Sequence, residues 1–232
     1  MPTAAAMSKG HATEETESFL AATVGQKLVM AVTGLILFGF VIVHMLGNLQ
    51  LYAGAEALDG YSVFLHTFVH GAGIWLARAA LLLALLLHIW AMWSLTLVNH
   101  RARRVGYRRW KPLESTYASR TMRWSGVFLL AFIIFHLLHL TTGDVHPDFI
   151  PGAVYHNVVT GLQVVPVAVL YIVATLALAL HLFHGSWSLF QTLGLNHPRY
   201  NRLRNVVCIG LAAVVVVGNL SFPVAVLAGW VR

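Results

Sequence analysis

Residues 27–51 read KLVMAVTGLILFGFVIVHMLGNLQL. After Lys27 the run carries no charged side chain, and it exceeds the roughly 20 apolar residues that one helix needs to cross a bilayer core. His44 interrupts it. An ionisable group at membrane depth is costly and is a functional-site candidate by default. Four more apolar runs follow, over residues 74–98, 124–140, 162–191 and 206–230, and the first three carry His88, His136 and His181.

The whole chain has this character. Of its 232 residues 58% are hydrophobic and 10% charged, against roughly 25% charged in a soluble domain. The expected fold is all-α, an integral membrane bundle of five transmembrane helices spanning residues 27–232, preceded by a cytoplasmic N-terminal tail over residues 1–26. Cys208 is the only cysteine, which excludes an internal disulfide framework and a thiolate-held cluster. Neither a G-x-G-x-x-G fingerprint nor a phosphate-binding G-x-x-x-x-G-K-[ST] loop occurs, so no nucleotide cofactor is signalled, and no nucleic-acid partner is expected.

Cationic loops mark the cytoplasmic face. Residues 1–27, 99–123 and 192–205 hold 13 of the 15 Lys and Arg. The N-terminus is therefore expected inside and the C-terminus outside, with the odd-numbered spans running outward. At about 1.5 Å per residue, His44 and His136 fall in the outer half and His88 and His181 in the inner half. One imidazole on each of four helices, sorted into two depth-matched pairs, suits two haems stacked across the bilayer with two axial histidines each. A lone spanning histidine is as easily a relay or a satisfied polar group; four in matched pairs are harder to explain that way. Gly34 and Gly39 leave room for a flat macrocycle or a second helix to approach.

His139 and His184 follow His136 and His181 by three residues, on nearly the same helix face, so spacing alone leaves open which member of each doublet is the ligand. His66 and His70 lie in the outer loop and read as structural. Arg78, near the outer end of the second span, suits either an outer-haem propionate or a headgroup. Arg123, at the inner start of the third span, suits an inner-haem propionate, a quinone carbonyl or plain interfacial anchoring. Ser186, Trp187 and Ser188 are candidates for a quinone slot near the inner face. Pro166 is expected to kink the fourth span.

The stretches MAVTGLILFGFVIVHMLGNLQLYAGAEALDGYSVFLH, LLLHIW, RWSGVFLLAFIIFH and LHLFHGSWSLF together resemble the diheme cytochrome b membrane anchor of succinate:quinone oxidoreductases, the succinate dehydrogenases and fumarate reductases. The resemblance resolves the doublets. In that family a ligand follows an R-x-[ST]-G opening by ten residues, here Arg123 to Gly126 and then His136, and another precedes G-x-W-S by four, here His181 before Gly185.

The resemblance implies two haem b groups held by His44, His88, His136 and His181, with quinone, menaquinone being the expected species, as substrate. It implies an iron–sulfur subunit and a flavoprotein subunit as partners, and a multi-pass place in the bacterial inner membrane. The basic stretch 99–123 would then also dock the iron–sulfur subunit. A glutamate that some diheme fumarate reductases carry two residues before the fourth-helix ligand is Ala179 here. The competing readings are a cytochrome b of another quinone-linked dehydrogenase or hydrogenase, and a haem-free transporter using the histidines as a proton relay. The spans offer no carboxylate for the latter.

Overall fold

The computed structural model describes residues 21–102, 117–195 and 197–232, and the regular structure among them is helical throughout. The tail expected over residues 1–26 lies, up to residue 20, outside the described residues, as do residues 103–116 of the basic stretch. Five helices are long and apolar enough to cross a membrane. They are α1 (Thr23–Asn48), α3 (Ala72–Ala102), α4 (Tyr117–Leu137), α6 (Val165–Thr192) and α7 (Asn201–Leu227), with the shorter α2 (Ala55–Thr67) and α5 (Val154–Gln163) between them. The five coincide with the five apolar runs. α1 begins four residues before Lys27, so the last residues assigned to the tail are helical.

Pro166 starts a helix rather than kinking one. Val164 is extended (φ −73°, ψ 102°), and Pro166 sits in the first turn of α6, where its missing N–H would have had no intrahelical acceptor. α5 and α6 are thus separate elements.

At the end of the bundle away from the Lys/Arg-rich stretches, side chains tie the connections together. Asn157 closes the loop before α5: it accepts from the Ile150 amide at 2.9 Å, donates to the Ile150 carbonyl at 2.8 Å, and its own carbonyl accepts from His146 Nε2 at 2.7 Å. Asp59 on α2 accepts from the Tyr155 amide at 2.8 Å, serving a first-turn N–H of α5 that has no partner in its own helix. Met45, Leu51, Leu58, Val159, Leu162, Phe222 and Val226 form a buried core beneath these connections. Between α2 and α3 the chain reverses through Val69 and His70, both left-handed (φ 52° and 54°), a conformation that costs a non-glycine residue about 1–3 kcal/mol.

Within a bilayer, close packing holds helices together, because lipid is as apolar as the side chains, and small residues mark the contacts. Ala84 and Ala91 on α3, one heptad apart, are 3% and 0% exposed; Ala168 and Ala174 on α6 are as deeply covered. α1 packs on α3, α4 packs on α6, and α7 lies along α6 and touches α1. Among the described residues neither α1 with α4 nor α3 with α6 makes a packed interface. α1 also touches α6, so the site forms where α1 faces α4 and α3 faces α6 without packing on them.

Candidate functional site

The histidines meet where these helices face one another. His44 (α1) faces His136 (α4) with ring centres 6.0 Å apart, and His88 (α3) faces His181 (α6) at 6.4 Å. Each contact joins two helices that do not otherwise pack. The two levels are separated along the bundle. On α1, Thr33 and Gly34 touch His88 and His44 lies ten residues further on. On α4, Ser125 touches His181 and precedes His136 by eleven. On α6, Tyr171 touches His136 and precedes His181 by ten. Three helices thus give one answer, about 15 Å between the levels at 1.5 Å per residue.

Hydrogen bonds fix how three of the rings are turned. Thr33 Oγ1 donates to the Val29 carbonyl at 2.7 Å. Its one proton being committed, it accepts from His88 Nδ1 at 3.1 Å. Ser125 Oγ likewise donates to the Met122 carbonyl at 2.9 Å and accepts from His181 Nδ1 at 3.3 Å. Both imidazoles then carry hydrogen on Nδ1 and a bare lone pair on Nε2. His136 Nδ1 is 3.1 Å from the Tyr171 hydroxyl. His44 differs, since its Nε2 accepts from the Asn48 amide at 3.2 Å, so a metal at that nitrogen would displace Asn48. Close behind the rings the backbone is stripped: a Cβ at Gly34 would come within 3.3 Å of His88 Cε1, and one at Gly126 within 3.7 Å of His181 Cε1. Gly39 faces open space.

This donor set fits a particular kind of metal. An imidazole nitrogen lies about 2 Å from the metal it binds, so two on opposite sides of one atom put the ring centres about 6 Å apart. Among the described residues no three His, Cys, Asp or Glu side chains converge. Each pair offers two imidazoles, which fits a group such as a porphyrin that brings four nitrogens of its own and takes two from protein.

The first doublet separates in space. His136 turns to His44. His139, in a turn of π-helix over Leu138–Thr142, is fully buried, stacked on Phe135 and 4.9 Å from the His146 ring. Neither arginine reaches an imidazole pair through any contact seen here. Arg78 is exposed with its guanidinium 4.9 Å over Trp75, and Arg123 lies 3.4 Å from His100 Nε2. Near the Lys/Arg-rich end Ser186 is buried and the Trp187 ring is covered by the Arg204 guanidinium at 3.7 Å. Beside them α6 and α7 flank a groove of about 470 Å³, walled by Phe190, Leu195, Leu203 and Val207, with His197, Tyr200 and Arg204 as its polar members.

Sequence reasoning missed Thr33, Ser125, Tyr171 and Asn48 as partners of the histidines. The available signal was a hydroxyl inside an apolar run: Tyr171, in VLYIV, needs a partner for its O–H once buried.

Residues 98–218, just over half the chain, match the family model described as succinate dehydrogenase/fumarate reductase transmembrane subunit. The match includes His136 and His181 and ends short of His44 and His88. No curated protein and no solved structure matches the chain. With five spanning helices and this match, the chain belongs to the succinate dehydrogenase/fumarate reductase transmembrane subunit family.

Proposed function

We propose that this membrane subunit carries electrons between an iron–sulfur partner and quinone through two b haems, one held by His44 and His136 and the other by His88 and His181. The observation that carries the reading is the pair of imidazole contacts, at 6.0 and 6.4 Å, each between two helices that make no packed interface with one another. A b haem supplies a one-electron carrier when bound. What the chain contributes is the pair of axial nitrogens, the hydroxyls that hold His88 and His181 with Nε2 bare, and spanning helices that keep water from the site. Second-sphere partners of this kind orient a metal-ligating histidine and raise its basicity.

By the positive-inside rule, the Lys/Arg-rich end is cytoplasmic, and residues 99–123 offer the docking face for the iron–sulfur subunit. The level of His88 and His181 is then the nearer one to that partner. The groove beside Arg204 has the size and mostly apolar lining of a small-molecule site, and it is the place proposed for the quinone ring. Arg78 and Arg123 remain the cations proposed for haem propionates of the levels nearest to them.

A haem assay on the purified complex tests the reading. Two b haems per chain are expected, with a reduced-minus-oxidised spectrum reducible by succinate when the flavoprotein and iron–sulfur subunits are attached. A complex that purifies intact without a Soret band would overturn it.

A further inference from the structure

We infer that Tyr171 and His139 are positioning residues for His136, forming a hydrogen-bonded chain that sets the basicity of that imidazole and, through it, the potential of one haem and not the other. The inference rests on the reading of His136 as an axial ligand.

The Tyr171 hydroxyl lies 3.1 Å from His136 Nδ1 and 3.0 Å from His139 Nδ1. Its ring is held edge-on by Phe132, with centres 5.0 Å apart, so the hydroxyl stays between the two imidazoles. A hydroxyl has one proton to give. If both Nδ1 atoms were bare, one would be left unserved; if both carried hydrogen, the hydroxyl proton would have no acceptor. The hydroxyl proton and both Nδ1 atoms are all served only when one imidazole donates to Tyr171 and the other accepts from it. The two histidines therefore hold opposite tautomers.

A metal on His136 Nε2 chooses between the two arrangements. A neutral His136 then carries hydrogen on Nδ1 and donates to the Tyr171 oxygen, and Tyr171 donates onward to His139 Nδ1. His139 in turn carries its proton on Nε2. That atom is buried and has no partner among the described residues. Its neighbour His146 Nε2 already donates to the Asn157 carbonyl, and at Gly161 a Cβ would come within 2.8 Å of both nitrogens. The chain thus ends at His139, inside the protein. Its effect is directed back toward His136: a phenol whose own proton is engaged is a better acceptor, and a ligand imidazole that donates to a better acceptor is more basic. A more basic ligand stabilises ferric iron and lowers the potential. Behind His88 and His181 the hydroxyl partners pass their protons to their own helix backbone and not to a second imidazole, so that level does not depend on Tyr171 or His139.

The test is a redox titration of the assembled wild-type complex and of Tyr171→Phe and His139→Phe, with the low-spin EPR signals recorded alongside. His136→Ala first identifies which spectral component belongs to that level. Tyr171→Phe is expected to keep both haems and to raise the potential of the His136 component alone. His139→Phe, which leaves the Tyr171–His136 bond in place, is expected to raise it less. Should Tyr171→Phe fail to assemble, His139→Phe carries the test. Unchanged potentials and EPR signals in variants that retain both haems would overturn the inference, as would equal shifts of both components. Failure of the parent reading looks different: the wild type would lack haem, or His136→Ala would keep both.

Discussion

His44 and His136 face each other at 6.0 Å with their ring planes 84° apart, nearly perpendicular, whereas His88 and His181 are inclined at 55°. The two levels are therefore inequivalent in geometry as well as in depth. Were the proposed haems held with these ring planes kept, the nearly perpendicular pair would leave the two π-bonding iron d orbitals closer to degenerate and so widen the spread of its g values. Two low-spin EPR signals are expected, the more anisotropic one lost in His136→Ala and the less anisotropic one lost in His181→Ala. One signal of uniform shape would contradict this geometry.

The pairing itself gives a sharper expectation. On the proposed ligation, His44→Ala and His136→Ala should each remove the same haem, and His88→Ala and His181→Ala the other, because each change would take away one of the two protein ligands of that iron. Pyridine haemochrome assays on the four variants check this. A crossed result, with His44→Ala and His88→Ala removing one common haem, would mean that the helices pair differently from the arrangement here.

Thr33→Val and Ser125→Ala remove the acceptors of His88 and His181 Nδ1 hydrogens while keeping volume nearly constant. Loss of such partners typically weakens metal binding about 10- to 100-fold. Partial loss of the His88/His181 haem in detergent is expected, with the other haem retained and Thr33→Ser restoring occupancy. Full retention under haem-stripping conditions would show that the hydroxyls contribute nothing to that site.

Asn157→Ala should lower stability without changing either haem. It breaks the reciprocal bonds between buried Asn157 and the Ile150 backbone, at a cost on the order of 2–3 kcal/mol once the groups left unpaired are included. Thermal aggregation of the detergent-solubilised complex should shift to lower temperature while the visible spectrum below that temperature stays as in the wild type.

The groove at the Lys/Arg-rich end can be filled from one wall. Leu203 is 62% exposed on α7, so Leu203→Trp is tolerated by the helix and narrows the space beside Tyr200 and Arg204. Succinate:quinone reductase activity is expected to fall through a higher KM for quinone, with succinate still reducing the haems. An unchanged KM would place the quinone elsewhere.

Much of this molecule is written locally along the chain. An apolar run of sufficient length becomes a spanning helix wherever it sits, because every backbone polar group in lipid must be satisfied within its own segment. The five spans, the one-per-helix histidines and their depths follow from counting residues. The ends are less legible: α1 starts at Thr23, α3 continues to Ala102, and Pro166 opens α6 where a kink was expected, since the fate of an end depends on which groups arrive to receive its free amides and carbonyls.

What only the tertiary structure decided is rotation about each helix axis and who stands opposite. His136 and His139 share nearly the same face, and no spacing rule says that one turns toward His44 while the other sinks against Phe135 and His146. Thr33, Ser125 and Tyr171 lie 55, 56 and 35 residues from the histidines they hold, so each bond exists only once two helices have packed. Depth is fixed by rise per residue and can be read from one helix alone, whereas a hydrogen bond between helices requires the position and azimuth of both.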